Sequence, residues 1–106
     1  MHPLPSNHHN ERMLKVITHE AALFIRHEAS TESLMTVMRA ESLAHGTRIA
    51  VFVSVFPEEK ARAALAFLER QRENFSDHLK AHTRLGHLPR IDFLLDNREA
   101  TGGPVS

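Results

Sequence analysis

Three histidines, His78, His82 and His87, stand within the ten-residue stretch "HLKAHTRLGH". Two of them are four residues apart, a spacing that puts their side chains on one face of a helix. Such a pair supplies two metal ligands, with His87 as a candidate third, whereas zinc generally takes three or four. No glutamate lies between His78 and His82, so the metalloprotease pattern is absent. The plainest alternative is a set of partly exposed helix histidines. The chain has no cysteine, hence no thiol nucleophile and no disulfide framework. Its serines and carboxylates form no recognisable triad or paired-acid arrangement. These residues point to binding rather than bond chemistry, and the expectation is a protein that is not an enzyme and needs no cofactor or metal.

The second group able to do chemistry is cationic. Over the whole chain thirteen basic residues balance thirteen acidic ones. That balance argues against a strong, indiscriminate nucleic-acid binder. The distribution is less even. Between Lys60 and Arg90 there are seven basic residues (Lys60, Arg62, Arg70, Arg72, Lys80, Arg84, Arg90) against three acids (Glu69, Glu73, Asp77). A local basic surface is therefore compatible with zero net charge. Arg70, Arg72, Lys80, Arg84 and Arg90 are candidates for phosphate contacts. The competing reading is a solvated face laced with the three acids.

These residues must be held by secondary structure, and the pattern supplies it. At 106 residues the chain is long enough for one domain with one core. No apolar run approaches the roughly 20 residues that span a bilayer. The start, "MHPLPSNHHNER", has no apolar stretch like a secretory signal. Cytoplasmic location is the expectation. Residues 1–9 read as a disordered lead-in, and Asn10 as the N-cap of a helix with Glu11 at its positive end. Leu14, Ile17, Ala21 and Phe24 then share a helical stripe, flanked by Met13 and Ile25. Residues 34–41 read as a strand, "SLAHGT" (42–47) as a hairpin connection, and "RIAVFVSVF" (48–56) as a strand apolar on both faces, hence central. Pro57 suits the first turn of a helix that runs to about His82. Its stripe of Ala61, Ala64, Leu65, Leu68, Phe75 and Leu79 is interrupted at Gln71 and Arg72, which predicts a bend or loosened hydrogen bond between Arg70 and Glu73. Residues 90–96 form a last short strand.

The order is α-β-β-α-β, with an antiparallel hairpin and a final strand parallel to the central one, because the long helix crosses over between them. This order, with "AVFVSVF" before an acidic helix start and "LGHLPRIDFLLD" ending on Pro89, Phe93 and Asp96, resembles the ribosome-binding factor A family. The resemblance covers about residues 11–97. It implies an α+β fold of KH-like type II, with a three-stranded mixed sheet and two helices packed on one face. On this reading residues 10–97 are a KH-like ribosome-binding-factor-A domain and residues 98–106 a flexible tail.

The chain departs from the family in places. Members bend the long helix at Ala-x-Gly, where this sequence has Gln71-Arg72-Glu73. Their arginine-rich run before the final proline is here "KAHTRLGH", with Lys80 and Arg84 as its only full cations. Their hairpin Ser-Pro-Asp-Leu is here "SLAHGT". The resemblance implies a monomer that binds the small ribosomal subunit and its rRNA and assists maturation of that subunit, with no membrane partner. It places RNA contacts at Arg70, Arg72, His78, Lys80, His82, Arg84, His87 and Arg90, the histidines forming a softened basic patch. The alternative is a protein-interaction module on the same fold that has lost most RNA binding.

Overall fold

Two apolar helical stripes and three alternating strands close on a single core. The computed structural model describes residues 4–28 and 33–96, with side chains described for residues 11–26 and 33–96. Helix α1 spans Leu4–Glu28, strand β1 Leu34–Leu43 and strand β2 Arg48–Phe56. A short 3-10 turn at Glu58–Lys60 leads into α2 (Ala61–Arg70), followed by α3 (Arg72–His82) and β3 (Arg90–Leu95). The sheet order is β1-β2-β3. β1 and β2 are antiparallel; β2 and β3 are parallel, with Ile49 opposite Ile91 and Val51 opposite Phe93. This is the expected α+β architecture, a mixed three-stranded sheet with its helices on one face.

The core follows from the periodicities. Met13, Ile17, Ala21, Phe24 and Ile25 of α1 are buried, as are Ile49, Val51 and Val53 of β2 and Ile91 and Phe93 of β3. Leu68, Phe75 and Leu79 complete it from α2 and α3. Leu14, expected within the α1 stripe, is only partly buried and packs at its margin. Strand alternation sends Arg48, Phe52, Phe56, Arg90 and Asp92 to the opposite, open face. There the guanidinium of Arg39 lies 4.2 Å from the centroid of the Phe52 ring, and Leu34 and Phe56, cross-strand partners, are 66% and 72% exposed.

Helix α1 begins at Leu4, six residues before the expected cap at Asn10, so residues 4–9 are helical rather than part of a disordered lead-in. Pro5 sits in the first turn, where its missing N–H has no intrahelical partner to lose. No later residue blocks the helix, and the local cap signal is overridden. The expectations for residues 1–3 and for the tail after Asp96 lie outside the described residues. β1 runs two residues further than expected, to Leu43, which shortens the hairpin loop to residues 44–47. Pro57 precedes the 3-10 turn rather than opening the α-helix.

The loop carries three successive residues at positive φ: Ala44 (52°), His45 (55°) and Gly46 (86°). Thr47 closes it, its hydroxyl donating to the Ala44 carbonyl at 2.8 Å. A Cβ on Gly46 meets only Ser42 Oγ, at 3.9 Å, so space is not the constraint there. The backbone conformation is. Gly46→Ala should therefore cost about 1–2 kcal/mol, read as a lower urea midpoint at constant m-value.

Candidate nucleic-acid interface

The interrupted stripe becomes a break between two helices. Gln71 has φ −90° and ψ 2°, and its N–H is shared between the carbonyls of Phe67 (3.1 Å) and Leu68 (3.0 Å). The ladder resumes when Phe75 N–H donates to the Gln71 carbonyl at 2.8 Å. A bend without glycine is thus built from Gln71-Arg72-Glu73, as the stripe predicted. It lets Leu68 and Phe75, both fully buried, serve one core from two helices.

Arg72 opens α3 at the place where a continuous stripe would carry an apolar residue, four after Leu68. Its guanidinium reaches β3, where Nη1 donates to Asp92 Oδ1 at 3.1 Å. Arg90 Nε donates to the same oxygen at 3.1 Å. Arg48, at the start of β2, donates to Asp92 Oδ2 through Nε (3.0 Å) and through Nη2. Both carboxylate oxygens are saturated by three arginines from three elements. Asp92 is the one buried charged residue among those described. Its burial pushes the carboxyl pKa up, but the hydrogen bonds and charges of Arg48 and Arg90 outweigh that and hold it below the ordinary 3.8. The cluster keeps a cationic surplus: Arg48 and Arg90 are 48% and 59% exposed, so each presents guanidinium edges to solvent while anchored. Sequence reasoning missed Arg48 and Asp92. Arg90 stands two residues from Asp92, but Arg72 and Arg48 lie 20 and 44 residues from it, so no local signal marks the convergence.

The other expected contact residues fall into two groups. Arg70, Lys80, Arg84 and His87 are exposed, and none makes an ion pair among the described residues. His78 faces α1 instead: Nε2 donates to Glu20 Oε1 at 2.8 Å, and the ring lies 5.6 Å from Phe24 and 6.1 Å from Phe75 between centroids. His82 stacks on His78 at 4.2 Å, its Nδ1 donating to the His78 carbonyl at 2.9 Å. The i,i+4 pair is therefore a ring stack at the α1–α3 junction, apart from His87. Among the described residues no group of three or more His, Asp or Glu is arranged to hold a metal ion, and no helix is long and apolar enough to cross a membrane.

This fold has a counterpart among solved structures. The chain is similar to ribosome-binding factor A from Thermus thermophilus. The TM-score is 0.69 and the identity 26%, over 80% of this chain and 92% of that one. No family model matches the sequence, and no curated protein does. The likeness to ribosome-binding factor A thus lies in the fold and a modest share of residues. The KH-like α+β assignment holds for this chain.

Proposed function

We propose that this chain is a maturation factor of the small ribosomal subunit, which binds ribosomal RNA beside the α2–α3 break and along residues 80–90. The observation that carries the proposal is the likeness to a protein named for ribosome binding, across nearly all of that protein's length. The arginines support it. Arg48, Arg72 and Arg90 are held in fixed positions by Asp92, and Arg70, Lys80 and Arg84 are exposed and make no ion pair among the described residues. Anchored guanidinium groups suit phosphate, since their edges are pre-organised. His82 and His87 add hydrogen bonding or stacking, while His78 is committed to Glu20. The work is binding alone, by a monomer in the cytoplasm, with no bond made or broken and no cofactor.

The test is co-sedimentation with small subunits from assembly-stalled and normal cells. Enrichment on subunits from the stalled cells is expected, and its absence would remove the proposal. Arg84→Ala should weaken binding several-fold at low salt and little at high salt, because phosphate contacts release counterions. A change independent of salt would count against Arg84 as a phosphate contact. One observation favours the rival protein-interaction module: the exposed Leu34–Phe56 pair on the open face. If that reading holds, Phe56→Ser abolishes subunit binding and Arg84→Ala does not.

A further inference from the structure

Helix α1 buries Met13, Ile17, Ala21, Phe24 and Ile25. The opposite line, one turn after another, is Arg12, Lys15, His19, Ala22 and Arg26, all exposed. At 100° per residue the four basic members fall within a stripe about 60° wide, centred directly away from the core. From Arg12 to Arg26 the stripe is about 21 Å long. Arg12, Lys15 and Arg26 make no ion pair among the described residues. Of the described α1 acids, Glu20 is turned toward α3 by its bond to His78, which leaves only Glu11 at the margin. Lys15 and His19 also line a groove between α1 and β1, with Met38 and Arg39 on its far wall.

We propose that this stripe is a second RNA-backbone contact, separate from the surface at residues 70–90. The inference rests on the RNA-binding reading given above. The chemistry narrows the partner. A basic helix can also lie on a membrane, but it does so by burying its apolar face in lipid, and here that face is consumed by the core. A line of cations at one-turn spacing complements a regularly charged strand. The stripe lies on α1, whereas the first surface lies on α2, α3 and the loop before β3.

The test uses the full chain carrying Arg12→Gln, Lys15→Gln and Arg26→Gln together, beside a second variant, Arg70→Gln with Arg84→Gln. The probe is purified small-subunit ribosomal RNA, with poly-glutamate as a protein-like polyanion. All five positions are exposed, and thermal unfolding unchanged from wild type confirms that both variants fold. The triple variant is expected to bind RNA at least tenfold more weakly at low salt. Its slope of log affinity against log salt should fall by about two, from three lost phosphate contacts. A triple variant with wild-type affinity and slope, while the double variant weakens, overturns the second contact and leaves the first site standing. The reverse pattern keeps the stripe and overturns the site at residues 70–90. Loss of poly-glutamate binding with RNA binding intact also overturns the proposal, in favour of an acidic protein partner.

Discussion

Phe75→Ala should destabilise the protein by about 3–5 kcal/mol. The ring is fully buried and is the meeting point of three elements. Its centroid lies 5.2 Å from Phe24 of α1 and 5.7 Å from Phe93 of β3, both tilted, and 6.1 Å from His78. Truncation removes the transfer energy of the ring and the edge contacts it makes with two aromatic neighbours. The cavity left is bounded by β2 and β3 on one side and by α1 on the other, none of which can collapse alone. The loss should exceed that of a single methylene several-fold and appear as a reduced denaturant midpoint. A change under about 1 kcal/mol would mean that the break at Gln71 lets α3 close the gap.

Asp92→Ala should cost about 2–4 kcal/mol, less than the loss for a fully buried pair because Arg48 and Arg90 can turn toward water. It leaves three arginines facing one another at the start of β2, β3 and α3. The pH dependence has a definite sign. Asp92 is held below its ordinary 3.8 in the folded protein, so its contribution is complete above that value and is lost as pH falls through the depressed folded one. Asp92→Asn keeps the shape and removes the charge. Its stability profile should be flatter than wild type on the acid side and lower at neutral pH. An Asp92→Asn profile that falls as steeply as wild type below about pH 4 would assign acid unfolding to other carboxylates.

The sequence made much of this legible, and the reasons differ by element. The central strand is readable because β2 is apolar on both faces, a local property. The break in the long helix is readable because Gln71 and Arg72 interrupt a stripe that otherwise repeats, even though no glycine marks it. The start of α1 is not, because Asn10 and Glu11 carry a local cap signal that the longer helix ignores. At the candidate site, exposure of Arg70, Lys80, Arg84 and His87 follows from helix and loop position. The commitment of His78 to Glu20, and the convergence of Arg48, Arg72 and Arg90 on Asp92, depend on which strand lies beside which. Strand alternation alone shows only that Asp92 faces away from Ile91 and Phe93.

The arginine clasp also has a place in the order of folding. Arg48 and Asp92 are 44 residues apart, and bringing them together closes the loop that contains both α2 and α3. That closure costs roughly 3 kcal/mol of chain entropy before any contact repays it. The β1–β2 hairpin, by contrast, closes over residues 44–47 alone. The hairpin can form early, then, while the parallel pairing of β2 with β3 comes late. Until residues 90–95 emerge and dock, β2 shows one bare edge and a face of Ile49, Val51 and Val53 to any neighbour. A chain slowed in synthesis before Arg90 would be most prone to aggregate at that stage, and the clasp at Asp92 is the charge contact that ends the exposure.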